Sequence, residues 1–153
     1  MAINPNTDFS SGAVLTAAQQ NRFPRGVMGT AARTAGNLTA TTTVSDLTGM
    51  SITFTAVANR LYRASWGANA VKETTGGYTQ LTFADSANTV YGYSIVYVVA
   101  GGYINLSGVS LISGLTAGSK TFKLRAIAEN NTSTILASAT APLQFIIEDI
   151  GPA

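Results

Sequence analysis

The chain of 153 residues contains no cysteine and no histidine. The first absence removes disulfides, a thiol nucleophile and any cysteine-based metal site, and leaves the redox compartment open. The second removes the commonest general base and the commonest metal ligand. Charge is scarce as well: charged residues make up 10%, against about 25% in ordinary soluble domains. With a net charge of +2 and no basic run interleaved with aromatics, nucleic acid is not an expected partner. No apolar run is long enough to span a bilayer, and Met1-Ala2-Ile3-Asn4-Pro5-Asn6 lacks the basic and apolar regions of a signal peptide. No membrane partner is therefore expected, and synthesis in a cytoplasm is. No dinucleotide or Walker-type glycine pattern sits at a strand-to-helix junction, and no acidic calcium loop occurs, so no cofactor and no metal are expected.

What is present is hydrophobic: 46% of the residues. A soluble β-domain this poor in charge covers part of its surface in an oligomer or a larger assembly. The organising stretch is 113–128. Ser113-Gly114-Leu115-Thr116-Ala117-Gly118-Ser119 is turn chemistry. Behind it, Phe122, Leu124, Ala126 and Ala128 alternate with Thr121, Lys123 and Arg125, the period of a half-buried strand. A slip of one residue would bury both cations, so the register is firmly set.

The other segments read as partners of that strand. Leu38, Ala40, Thr42 and Val44 alternate, and Asp46-Leu47-Thr48-Gly49 reads as a turn. Ile52, Phe54 and Ala56 point inward, followed by Tyr62, Ala64 and Trp66. Leu81 and Phe83 mark the next core face, and 135–139 and 143–148 close the domain. Short strands at this spacing predict an all-β, jelly-roll-like antiparallel sandwich of about eight or nine strands over 37–153. Residues 1–36 form an N-terminal arm: Thr16-Ala17-Ala18-Gln19 fits a capping box for one short helix, and Phe23-Pro24 ends it. Such a helix is too short to persist alone, so the arm reads as an attachment segment that docks through Val14, Leu15 and Phe23, with Arg22 and Arg25 beside them.

The hairpin strand Val90-Tyr91-Gly92-Tyr93-Ser94-Ile95-Val96-Tyr97-Val98-Val99 is apolar on both faces, as is much of 103–112. A sheet with one wet face alternates cleanly, so a second subunit is expected over this hairpin, at Tyr91, Tyr93 and Tyr97. Exposed aromatics also suit stacking on sugar rings, with Trp66 and Tyr78 as the glycan contacts. The acids Asp8, Asp46, Glu73, Asp85, Glu129, Glu148 and Asp149 show no catalytic pairing. Glu148 and Asp149 are neighbours on a strand and face opposite ways, and no Gly-x-Ser-x-Gly occurs. No catalytic residue is assigned and no enzymatic activity is expected.

Three passages resemble small virion proteins of tailed bacteriophages, labelled minor tail, head-fibre or decoration proteins. They are Leu15 to Gly26, Ile52 to Arg63, and Gly114 to Ala126 with the ending Ile147-Glu148-Asp149-Ile150-Gly151-Pro152. The resemblance implies a trimeric β-sandwich knob without enzymatic activity, attached to the particle through its N-terminal segment. It implies a homotrimer on the virion surface whose partner is the major capsid or tail protein. The chain lacks the repeats or heptads of a fibre shaft, which favours capsid decoration over a minor tail or tail-spike component. A host-glycan-binding adhesion module is the alternative of a different class.

Overall fold

Phe122, Leu124, Ala126 and Ala128 are all buried, with Lys123, Arg125 and Ile127 half-buried between them. The strand they form, β8 (Gly118–Ala128), therefore has the register that its alternation predicts. A computed structural model describes residues 12, 14, 16–21, 23–72 and 75–153. Among them run α1 (Ala17–Gln20), β1 (Gly26–Arg33), β2 (Leu38–Ala40), β3 (Ser45–Ala56), β4 (Arg60–Val71) and β5 (Gly77–Asp85). After these come β6 (Val90–Val98), β7 (Tyr103–Ile112), β8, β9 (Ser133–Leu136) and β10 (Leu143–Pro152).

Two antiparallel sheets face each other. The smaller has the order β3-β8-β5-β6. In the larger, β1, β10, β4 and β7 lie side by side, and the short β9 and β2 continue from the far end of β4 beyond β10. The chain crosses between sheets at most of its connections, so strands distant in sequence become neighbours. This is the double-sheet jelly roll.

The core is aromatic and centres on Phe83. Its ring lies 5.7 Å from Trp66, 5.2 Å from Phe122 and 5.6 Å from Phe145. Truncating one such ring to alanine costs about 3–5 kcal/mol. Gly92 and Gly108 explain how the indole fits. A Cβ on Gly108 would stand 2.2 Å from Trp66, and one on Gly92 would stand 3.2 Å from it. The Trp66 indole N–H donates to Ser94 at 3.0 Å, which satisfies the one polar atom of the ring.

Three expectations change. Residues 26–33, assigned by sequence to the arm, form β1 and pair with β10 from Arg33↔Leu143 to Gly26↔Asp149. Glycine and alanine fill much of that strand, so its apolar alternation is too weak to show. Counting β1 raises the strands from the expected eight or nine to ten among the described residues. The third change is at Asp46–Gly49, which is not a turn between strands. Gly49 takes φ 81° inside β3, where pairing with β8 shifts between Asp46 and Ser51. Residues 47–50 here stand opposite Leu124 alone, an irregularity larger than a one-residue bulge, and beside it the Asp46 carboxylate meets Lys123 and Arg125 at 2.7 and 2.8 Å.

The predicted capping box is present. Gln19 N–H donates to the Thr16 hydroxyl at 3.2 Å, and the Gln19 side chain accepts from Thr16 N–H at 2.9 Å. The chain leaving α1 is held by Arg60, whose guanidinium donates to the carbonyls of Asn21 and Phe23. Arg60 itself is buried against Asp149.

Candidate functional surface

Strands β6 and β7 are the last strands of their two sheets, and they run along one side of the sandwich. Their inward residues enter the core: Val98, Leu106 and Ile112 are buried. Most of their outward residues are large and apolar, with Asn105 and Ser107 as a polar break in the middle of β7. On β6 and just past it these are Val90, Tyr93, Ile95, Tyr97 and Val99; on β7 they are Tyr103, Val109 and Leu111. Tyr103, Val109 and Tyr93 are 75%, 66% and 62% exposed. Because β6 faces outward from one sheet and β7 from the other, apolar residues lie on both faces of this edge.

Of the three tyrosines expected on a subunit contact, Tyr93 and Tyr97 stand on this band. Tyr91 does not. It lies at the irregularity opposite Phe83 and Ala84, and its ring packs on Phe83 and Phe122 at 5.9 and 5.3 Å. Burial, then the Asp85 charge and hydrogen bond, push its phenol above the ordinary range. The irregularity breaks strict alternation, which is why period two misplaces this residue.

Trp66 is also corrected. It is 4% exposed and offers no face to a glycan. Tyr78 is 46% exposed and meets Tyr97 edge-on at 5.4 Å. It borders a cleft of about 500 Å³ on the outer face of the smaller sheet, with Gln80, Ile95, Ile127, Glu129 and Asn130. The alternation of β5 indicates that Tyr78 and Gln80 share a face; the remaining members come together only in three dimensions.

Of the predicted attachment residues, Val14 is 89% exposed, and Phe23 and Arg25 are also exposed. Leu15 and Arg22 lie outside the described residues. The acids have structural partners: Asp46 as above, Glu148 with Arg63 at 2.7 Å, and Asp149 with Arg60 at 2.6 Å. Asp85 accepts from Ala87 and Thr89 N–H within its turn, and Glu129 accepts from Tyr78 N–H. Asp8 and Glu73 are outside the described residues. Among the described residues no group of three or more acids gathers as a metal site, and no helix is long and apolar enough to cross a membrane.

The buried ions Lys72, Arg60 and Asp149 carry no sequence signal. Lys72 is fully buried, and its ammonium donates to the carbonyls of Glu129 and Asn130. Burial lowers its pKa from the ordinary lysine value, with the Glu129 charge opposing.

No family model and no curated protein matches the chain in sequence. Solved structures do match in shape. The Eiger TNF of S. frugiperda aligns with TM-score 0.50 and 8% identity, over 84% of this chain and 96% of that one. Murine APRIL at pH 5.0 aligns with TM-score 0.49 and 8% identity, over 80% and 98%. The tripod (BppUct-A-L) from the baseplate of bacteriophage Tuc2009 aligns with TM-score 0.40 and 13% identity, over 97% and 76%. With the strand order above, the likeness to the Eiger TNF structure assigns this chain the jelly-roll fold.

Proposed function

We propose that the chain is a non-enzymatic structural protein of a tailed-phage virion, a homotrimeric surface knob anchored by its N-terminal arm. The observation that carries the assembly is the apolar band on β6 and β7. Two edge strands with outward tyrosine, valine, isoleucine and leucine invite aggregation unless something covers them. Closed rotational symmetry covers them without leaving a sticky end. Apolar residues on both faces of one edge let each edge wedge between two neighbours, which suits a ring of three better than a face-to-face pair. The virion assignment is supported by the three sequence passages named above and by the compact sandwich with its short arm. The absence of repeats or heptads in the sequence favours a capsid-decoration (head-fibre) place, on the major capsid protein, over a place on the tail.

Sedimentation velocity of the purified chain tests the assembly. A trimer at micromolar concentration is expected, reduced to monomer by Tyr97→Asp, since an unpaired buried charge is costly. A stable wild-type monomer would overturn the reading. Electron microscopy of particles labelled on this chain tests the place: label over the head is expected, and label confined to the tail overturns decoration.

A further inference from the structure

We propose that the cleft bordered by Tyr78 on the outer face of the smaller sheet binds a neutral pyranose sugar. This goes beyond the structural role and rests on different residues from the arm. A pyranose presents an apolar C–H face ringed by hydroxyls, each able to donate and accept. The cleft offers a match to both. The Tyr78 ring, braced edge-on by Tyr97, supplies an aromatic wall and Ile127 an apolar floor, while Tyr97 and Ile95 mark where the cleft meets the β6–β7 band. Gln80 donates through its amide nitrogen to Thr82 at 3.0 Å, which leaves its carbonyl oxygen as an acceptor. One Glu129 oxygen accepts from Tyr78 N–H at 3.1 Å, and the other is an acceptor for a sugar hydroxyl. Asn130 lines the same rim. A few convergent polar groups around an apolar floor are the general form of a small-ligand site.

The rim is held in place from beneath. The fully buried Lys72 ammonium grips the backbone carbonyls of Glu129 and Asn130, the latter at 2.6 Å, and Asn130 sits at φ 53°. Gly77 leaves room for this grip: a Cβ there would stand 2.8 Å from the Glu129 carbonyl oxygen and 3.0 Å from the Lys72 nitrogen. A rim already ordered lowers the entropic cost of binding. The Lys72 ammonium is buried beneath these carbonyls, so the ionic group exposed on the rim is the Glu129 carboxylate. That carboxylate repels anionic sugars and accepts from neutral ones.

The test uses the full chain and saturation-transfer NMR. The probes are methyl glycosides of glucose, galactose, N-acetylglucosamine and rhamnose, with methyl glucuronoside as the anionic counterpart, each at about 10 mM. Transfer to at least one neutral glycoside and none to the glucuronoside is expected. Tyr78→Ala should weaken the neutral ligand about tenfold, and Glu129→Gln should admit the glucuronoside. The second variant keeps the question open to refutation even where a cleft variant folds poorly, because a gain of ligand does not arise from misfolding. Absence of transfer to every neutral glycoside, or binding unchanged by Tyr78→Ala, overturns the site. An unchanged charge preference in Glu129→Gln overturns the role of that carboxylate. If no glycoside transfers and Tyr78→Ala lowers the sedimentation coefficient, the cleft belongs to the subunit contact; the sugar site then falls while the trimer stands.

Discussion

Replacing Arg60 with methionine should be among the most damaging single changes in the molecule. The guanidinium Nε lies 3.1 and 2.9 Å from the two Asp149 oxygens, and Nη2 lies 2.6 Å from Oδ1. The two side chains are 5% and 0% exposed, so water screens the pair little. On its other side the guanidinium donates to the carbonyls of Asn21 and Phe23. In Arg60→Met the Asp149 carboxylate stays buried with Gly151 N–H at 3.0 Å but without its cation. Breaking a buried pair from one side costs about 3–5 kcal/mol. For a chain of this length that lowers Tm by about 6–20 °C. Urea denaturation at one fixed protein concentration is the assay, because the proposed assembly would make apparent stability concentration-dependent. Replacing both partners, as Arg60→Met with Asp149→Leu, should recover much of the loss, since well-packed apolar residues often match a buried pair. Trypsin cleavage at Arg25 should still rise in the double variant, because the carbonyls of the arm root have lost their clamp. A cost below about 1 kcal/mol for Arg60→Met, the scale of an exposed pair, would refute the buried clamp.

Gly108→Ala should cost about 1–3 kcal/mol through overpacking against Trp66 and alter the near-ultraviolet circular dichroism of the indole; an unchanged spectrum would show that the ring has room to spare. Asp46 has its pKa held below 3.8, first by the Lys123 hydrogen bond. A lowered folded value means that its contribution is full above 3.8 and is lost as pH falls through the folded value. Asp46→Asn should therefore flatten the acid limb of the urea midpoint against pH, by a modest amount because the carboxylate is half exposed. An acid limb identical to wild type would contradict the pairing. Deleting residues 1–20 removes α1 but spares β1, so a folded trimer that no longer joins particles is expected in a binding assay. Full occupancy by the truncated chain would move attachment onto the β-domain.

Much of the sandwich was legible because period two reports directly which face of a strand is apolar. The inward sets Ile52/Phe54/Ala56, Tyr62/Ala64/Trp66 and Phe122/Leu124/Ala126/Ala128 are all in the core. The capping box was legible for a similar reason: its partners are three residues apart and answer only to each other. Two segments failed for opposite reasons. In β1 small residues hide the alternation, whereas at Asp46–Gly49 the residues of a turn serve an irregularity inside a strand.

By itself the sequence determined that the chain is all-β, how most strands face, and that too little charge exists to wet the whole surface. It also singled out 90–99 as a strand with an unexplained apolar face. Only the tertiary structure decided which of those apolar residues the molecule covers for itself. Tyr91 turns inward onto Phe83 while Tyr93 and Tyr97 stay outside, because an irregularity in pairing with β5 resets the alternation there. Trp66 is sealed in because Gly108, on a different strand, leaves room for its indole. Arg60 and Asp149 are 89 residues apart, and Lys72 meets the carbonyls of Glu129 and Asn130 across two sheets. A local pattern carries no term for such meetings. They depend on strand order, and strand order is set when two whole sheets choose how to share one core.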